Sequence, residues 1–187
     1  MCDERFIWAS GPEWMVIYDT FDDSGLGSRW CLDKISTAQF ADAIAERVGL
    51  APDAVVAHMT ACCHHIRFFD ATYRFFRSRQ LPQAIVTVNP DLFSEVIVPI
   101  YGFDSDCNVI VTSWEERTED KRILNRLAID RLGIDCANHE ALLIDNKRTN
   151  IDDWISIGGA GYHYLGDERF ARNLAAGGLD GMAAITT

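Results

Sequence analysis

The chain has 187 residues, 48% of them hydrophobic, and this length favours one well-buried core with room for an insertion. Its formal net charge of −11 argues against binding to the phosphate backbone of nucleic acids, but it is compatible with a small anionic substrate in a local pocket. No apolar run approaches the roughly 18 residues of a membrane span, and the N-terminus lacks the pattern of a secretion signal. We therefore expect a cytoplasmic protein that binds neither nucleic acid nor membrane, with free thiols at its six cysteines.

The first predicted element is a buried strand over residues 14–19, because the run W-M-V-I-Y-D is apolar, short and rich in strand formers. The strand ends at Asp19, and an acidic loop over residues 22–28 follows. Asp19 is then either a functional carboxylate at a strand end or part of a solvated turn.

Helices dominate the next part of the chain, from about residue 30 to residue 80. Ser36 or Thr37 is a suitable cap for a helix that ends at Gly49. A second helix opens at Pro52 and runs to about residue 65, and a third covers roughly residues 66–79. We expect this block to be an insertion between the first and second strands.

Strands and helices alternate along the remaining chain. The predicted strands cover residues 84–90, 108–113, 141–145 and 161–165, and the predicted helices cover residues 90–98, 119–132 and 150–157. This alternation is typical of an α/β fold in which helices cover both faces of a parallel sheet. Ligands of such folds lie beyond the carboxyl ends of the strands, so we expect Asp19, the Thr87–Asn89 turn and Asp145 at one edge.

The side chains expected at this edge suit a nucleophilic attack on phosphorus or on an alkyl carbon. Two nearby carboxylates repel each other unless a cation compensates, and Mg²⁺ with oxygen ligands is the natural choice. Lys121 at a helix start offers a positive charge, and Thr87 offers a hydroxyl donor. Each residue taken singly also has an ordinary structural role, as a turn cap or a solvated charge. The ordered set favours attack by a carboxylate and a covalent aspartyl intermediate.

In this order, the motifs resemble those of the haloacid dehalogenase-like (HAD-like) hydrolase superfamily over residues 14–180. The four motifs of that family are similar to V16-I17-Y18-D19-T20-F21, I85-V86-T87-V88-N89, D120-K121-R122-I123-L124 and L142-L143-I144-D145-N146-K147-R148-T149-N150. The resemblance implies a three-layer, Rossmann-like parallel sheet built from residues 1–29 and 81–187, with a small helical cap over residues 30–80.

The resemblance also implies a role for each motif residue. Asp19 would be the nucleophile, and Mg²⁺ would be bound by Asp19, the backbone carbonyl of Phe21 and Asp145. Thr87 and Lys121 would hold the transferring phosphoryl group, with Asn89 in the substrate site. The implied activity is a Mg²⁺-dependent phosphatase acting on a small phosphorylated metabolite.

Several positions depart from the pattern of the family's phosphatases, among them Asp22-Asp23 in place of the usual Gly-Thr and Asn89, which stands one residue late. Phe21 stands where they carry a general acid and base, and the loss of such a group typically removes about 10²–10⁴ in rate. Asp22 or Asp23 would supply the acid only in a shifted frame. Asn146 stands in place of the usual second aspartate of the fourth motif.

Two alternatives to the phosphatase stay open. An aromatic residue at position 21 resembles the dehalogenase branch, in which an aspartate displaces halide from a 2-haloacid without a metal. Arg67, Arg74 and Arg77 of the cap would then bind carboxylate or halide, although solvated helix faces are the ordinary place for arginine. The other alternative is a fold that has lost turnover and serves as a binding or regulatory module.

A separate histidine and cysteine cluster, H58-M-T-A-C62-C-H-H65, also has metal-ligand spacing. On a helix, His58, Cys62 and His65 would share one face and could offer ligands to zinc. No fourth ligand stands nearby, so we interpret the cluster as part-buried imidazoles and thiols of a structural helix.

Overall fold

Short parallel strands and many helices make up the protein. The structure, a computed structural model, describes residues 15–23, 25–78, 81–134, 137 and 140–176. Up to β1 its elements are α1 (Met15–Asp23), α2 (Leu26–Cys31), α3 (Thr37–Val48), α4 (Pro52–Cys63), α5 (Asp70–Ser78) and β1 (Ala84–Thr87). A π-helix (Phe93–Ile97), α6 (Val98–Tyr101), α7 (Phe103–Asp106), β2 (Val109–Thr112), α8 (Ser113–Glu116) and α9 (Lys121–Leu132) follow. The chain continues with β3 (Leu142–Asp145), α10 (Arg148–Ser156), β4 (Ala160–His163) and α11 (Asp167–Ala175).

Helix α1 replaces the strand predicted over residues 14–19, so that prediction is wrong, while Trp14 itself lies outside the described residues. Ile17, Thr20 and Phe21 share one helical face, and Ile17 and Thr20 are buried. The Thr20 hydroxyl accepts a hydrogen bond from the guanidinium of Arg47 on α3 at 2.7 Å. A short apolar run is compatible with a strand or a helix, and here packing against α3 decides in favour of the helix.

The predicted helices of the following block are confirmed, with clear local causes. Ser36 and Gln39 form a reciprocal capping box at the start of α3, and Gly49 ends it with a φ of 69°. Pro52 is the first residue of α4, where its missing N–H is harmless. Helix α5 begins at Asp70, later than predicted, and α4 ends at Cys63.

The four strands predicted after residue 80 are all present and pair in parallel. β1 pairs with β2 in the register Ala84–Val109 to Thr87–Thr112, and β3 pairs with β4. The α/β class with parallel strands is therefore confirmed. Among the described residues the strands form two two-stranded sheets, and the segment predicted as the first strand is helix α1.

Hydrophobic packing joins the helices to these strand pairs. Leu124 and Ala128 of α9 pack on Val111 of β2. One large cluster contains α3, α4 and residues around β1, and another joins α5 to β4 and α11. Both clusters cross the predicted boundaries between core and cap, so the division at residues 30 and 81 stays a prediction. Within the described ranges, no helix is long and apolar enough to span a membrane.

Candidate active site at the strand ends

Lys121 lies where the ends of β1 and β3 approach each other. Its ammonium donates a hydrogen bond to the Val86 carbonyl at 2.7 Å and lies 3.9 Å from Oδ2 of Asp145. The side chains of Lys121 and Asp145 are each only 12% exposed, so water screens this ion pair weakly. Asp120 caps helix α9 just before Lys121, and hydrogen bonds from Arg122 hold the pKa of Asp120 down to about 2.

The Asp145 carboxylate is held in place by the turn that follows β3. Its Oδ1 accepts a hydrogen bond from the backbone N–H of Lys147 at 2.7 Å. Its Oδ2 accepts a hydrogen bond from the Asn150 side-chain amide at 2.9 Å. Asn150 reaches it because the spacing of five residues places that side chain in the first turn of α10. The carboxylate is therefore a fixed, half-buried anion beside a lysine.

The end of β1 and the turn after it place two polar side chains next to the Lys121 contact. Thr87 follows Val86 directly, and the Asn89 side-chain amide donates a hydrogen bond to the Thr87 hydroxyl. The backbone N–H of Asn89 donates to the hydroxyl of Ser113 at 3.1 Å. Sequence reasoning missed Ser113, although its place at the end of the strand predicted over residues 108–113 is a usable signal.

The structure thus brings residues of three separate motifs to one edge. Lys121 and Asp145 form an ion pair, and Thr87 adjoins the carbonyl that Lys121 contacts. A cation, a carboxylate and a hydroxyl donor at one place are able to bind an anionic ester and orient it.

Asp19 and Phe21 lie on helix α1 and not at a strand end. The Asp19 side chain is exposed, and among the described residues no hydrogen bond or ion pair joins it to Lys121 or Asp145. The Phe21 ring packs edge-on against Trp30 and Phe40. The expectation that Asp19 ends a strand is thus wrong, while its role as nucleophile and metal ligand stays a prediction.

The Phe21 carbonyl, predicted to bind Mg²⁺, faces Gly27 so closely that a β-carbon at residue 27 would lie 2.6 Å from it. Its role as a metal ligand also stays a prediction. The side chains of Asp22 and Asp23, considered as replacement acids, lie outside the described part of the structure.

The three cap arginines are exposed and near the surface of the helical block. Arg74 lies 3.8 Å from Asp70 one helical turn away, and Arg67 is exposed in the segment before α5. Arg77 pairs with Asp106 at 3.0 Å. Their roles in substrate binding stay predictions.

The histidine and cysteine cluster does not keep the helical spacing that suggested a zinc site. Helix α4 ends at Cys63, so His65 lies beyond the helix, while the His58 ring nitrogen contacts the Cys62 sulfur at 3.4 Å. Burial, with the neighbouring Cys62, raises the pKa of the Cys63 thiol to about 11. Within the described ranges, no three acidic, cysteine or histidine side chains are grouped to hold a metal ion.

Asp145 is the residue of this edge that fits Mg²⁺. Mg²⁺ is commonly bound by one or two carboxylates together with substrate phosphate and water. The half-buried Asp145 carboxylate supplies one such oxygen ligand, but the Lys121 ammonium beside it competes for its charge. Among the described residues of this edge, Asp145 would therefore supply one oxygen ligand to Mg²⁺, and an anionic substrate and water would have to supply the others.

The fold is similar to that of known HAD-like enzymes. A HAD family enzyme from Bacteroides thetaiotaomicron matches with a TM-score of 0.67 at 14% identity, over 92% of this chain and 91% of that chain. The L-2-haloacid dehalogenase from Xanthobacter autotrophicus matches with a TM-score of 0.63 at 15% identity, over 98% of this chain and 81% of that chain. The chain has a HAD-like fold.

A further structure with this HAD-like fold holds ligands. It is the Bacteroides enzyme in complex with magnesium and inorganic phosphate, which matches with a TM-score of 0.60 at 12% identity over 88% of both chains. No protein-family model and no curated protein sequence matches the chain. At these identities the likeness establishes the fold alone.

Proposed function

We propose that this protein is a Mg²⁺-dependent hydrolase that acts on a small phosphorylated molecule. The observation that carries the proposal is the Lys121 ammonium, which contacts the Val86 carbonyl at 2.7 Å and lies 3.9 Å from the Asp145 carboxylate. The HAD-like fold and the magnesium and phosphate complex of its Bacteroides neighbour support the same chemistry.

The residues of this edge have distinct proposed tasks. Lys121 attracts the phosphate dianion and offsets negative charge that grows on its oxygens during transfer. Thr87 donates a hydrogen bond to a phosphoryl oxygen. Asp145 would hold Mg²⁺, which, when bound, supplies positive charge to the phosphate. Asp19 remains the predicted nucleophile. Its side chain is exposed on α1, and the variant Asp19→Asn tests this role directly.

A second candidate function is binding of a phosphorylated ligand without hydrolysis. It is favoured by the position of Asp19, which is exposed on helix α1 and shares no ion pair with Lys121 among the described residues. The half-buried Lys121 would still attract phosphate, because anion binding needs a cation and donors but no nucleophile.

The test compares wild type with Asp19→Asn and four further variants on an aryl phosphate and on a 2-haloacid, with and without Mg²⁺. Lys121→Ala and Asp145→Asn are expected to lower kcat/KM for the phosphate by at least about 10²-fold. Lys34→Ala, at an exposed lysine, is the charge-matched control for the first variant. Asp152→Asn, at an exposed position of α10, is the control for the second.

Each outcome separates the candidates. Mg²⁺-dependent phosphate release that Asp19→Asn abolishes supports the phosphatase with its predicted nucleophile. Phosphate release that survives in Asp19→Asn shows that the nucleophile is another group. Phosphate binding without release, lost in Lys121→Ala, supports the binding function. Halide release without metal supports the dehalogenase and overturns the proposal.

A further inference from the structure

We propose that Asn89 is a positioning residue that commits the Thr87 hydroxyl to donate a hydrogen bond to the substrate phosphate. This inference rests on the proposed function and assigns a task to the residue two positions beyond Thr87. Asn89 acts through Thr87 and does not need to touch the phosphate itself.

The direction of the hydrogen bond between these side chains carries the proposal. The Asn89 amide nitrogen donates to the Thr87 hydroxyl oxygen. A hydroxyl has one proton and accepts through its lone pairs, so an oxygen that receives an amide proton directs its own proton away from that amide. The accepted bond also polarises the O–H group and strengthens the bond it donates.

Ser113 holds Asn89 in the position that this bond requires. The Ser113 hydroxyl is fully buried, accepts a hydrogen bond from the Asn89 backbone N–H at 3.1 Å and donates to the Cys31 carbonyl at 2.8 Å. The turn after β1 is thereby tied both to the end of β2 and to helix α2. Asn89 accordingly lies on a fixed turn, and its amide folds back onto Thr87.

Charge near Thr87 indicates what receives its proton. The Lys121 ammonium contacts the carbonyl of Val86, the residue directly before Thr87. An anion drawn to this ammonium would lie near the end of β1, where Thr87 carries its hydroxyl. The geometry points to a phosphate oxygen as the acceptor.

A double-mutant cycle tests whether Asn89 acts through Thr87. The dissociation constant of inorganic phosphate is measured with Mg²⁺ for wild type, Thr87→Val, Asn89→Ala and the double variant. Thr87→Val is expected to weaken binding roughly tenfold or more, as for a lost bond to a charged group. Asn89→Ala is expected to weaken it about threefold to tenfold in wild type and less than about twofold in Thr87→Val.

Two further variants guard against a merely structural effect. Asn89→Asp keeps the side-chain shape but cannot donate, so Thr87 turns its proton toward residue 89 and binding falls at least as far as in Asn89→Ala. Asn173→Ala removes another bond from an asparagine amide to a hydroxyl, that of Tyr162 at 3.1 Å, and is expected to leave phosphate binding unchanged. Melting temperatures identify variants that bind poorly because they unfold.

Equal losses from Asn89→Ala in both backgrounds would show that Asn89 acts independently of Thr87 and would overturn the inference. Phosphate binding that depends on Thr87 but is unaffected by Asn89→Ala overturns it as well. A failure of the proposed hydrolysis gives a different result. If phosphate binds, Thr87 and Asn89 are coupled and there is no turnover, the hydrolase is overturned and the inference stands. Wild type that binds no phosphate overturns both.

Discussion

The carboxylate of Asp167 caps a helix that lies almost a hundred residues away in the chain. Its oxygens accept hydrogen bonds from the backbone N–H groups of Ala71 at 2.8 Å and Thr72 at 3.0 Å, at the start of α5. The Thr72 hydroxyl also donates to it at 3.1 Å. Removing this side chain therefore removes three hydrogen bonds between the helical block and helix α11.

The expected cost of Asp167→Ala follows from these bonds. A lost N-terminal cap alone costs about 0.5–2 kcal/mol, and here two backbone donors and one hydroxyl lose a charged acceptor. We expect the free energy of unfolding to fall by roughly 2–3 kcal/mol. For a chain of this size that lowers the melting temperature by roughly 4–12 °C. Asp167→Asn keeps one acceptor oxygen, so about half of this loss is expected.

The pH dependence of this effect has a definite sign. Burial acts to raise the pKa of Asp167, but hydrogen bonds from Ala71, Thr72 and Tyr164 outweigh burial and lower it below its ordinary 3.8. A depressed pKa in the folded state stabilises the protein fully above the ordinary pKa, and the stabilisation is lost as pH falls through the folded value. The stability difference between wild type and Asp167→Asn is thus largest near neutral pH and shrinks below about pH 4.

Thermal unfolding followed by circular dichroism between pH 3 and pH 8 measures both effects. Glu168→Gln is the matched control, because this neighbouring acid is exposed and its nearest cation, Arg172, lies 3.9 Å away. A melting temperature of Asp167→Ala within about 1 °C of wild type at pH 7 would refute the reasoning. A difference between wild type and Asp167→Asn that persists unchanged at pH 3 would refute the role of the charge.

Three further substitutions test the packing. Among the described residues neither side-chain amide atom of Asn125 has a hydrogen-bond partner, and the residue is 5% exposed. We therefore expect Asn125→Leu to raise the free energy of unfolding, measured by urea titration, by about 1–2 kcal/mol. A β-carbon at Gly159 would lie 2.1 Å from the Trp154 indole nitrogen. Gly159→Ala should therefore lower the free energy of unfolding by about 1–3 kcal/mol, which lowers the melting temperature by several degrees. Tyr101→Phe removes a hydroxyl that donates a hydrogen bond to the Cys63 carbonyl at 3.0 Å. The free energy of unfolding should therefore fall by about 1 kcal/mol, which lowers the unfolding midpoint.

Controls accompany these variants. Asn173→Leu should destabilise the protein, because the Asn173 amide does have a hydroxyl partner. If Asn125→Leu destabilises the protein equally, the Asn125 amide has a partner in solution. Gly133→Ala meets no atom within 4 Å and carries only the cost of its φ of 64°. Gly159→Ala that costs no more than Gly133→Ala contradicts the expected collision. An unchanged midpoint for Tyr101→Phe means that water replaces the hydroxyl.

Local signals predicted most of the elements correctly. Residues 84–87 and 142–145 were recognisable as strands because buried parallel strands are short, apolar and rich in branched residues. The caps Ser36 and Gly49 mark helix ends because the Ser36 side chain and the left-handed backbone of Gly49 satisfy orphan groups of the first and last turns of α3. The run at residues 14–19 gave the wrong element, because its apolar residues fit a strand as well as the helical face that packs against α3.

The sequence by itself determined that Thr87, Lys121 and Asp145 belong to strand ends and a helix start of an α/β fold. Parallel strands and alternating helices make that arrangement predictable, since the carboxyl ends of such strands share one edge. The tertiary structure alone decided that Lys121 meets both the Val86 carbonyl and Asp145, and that Ser113 fixes Asn89 against Thr87. It also placed Asp19 on the exposed face of helix α1, because contacts between residues distant in the chain, such as Arg47 with Thr20, outweigh a local preference of a few residues.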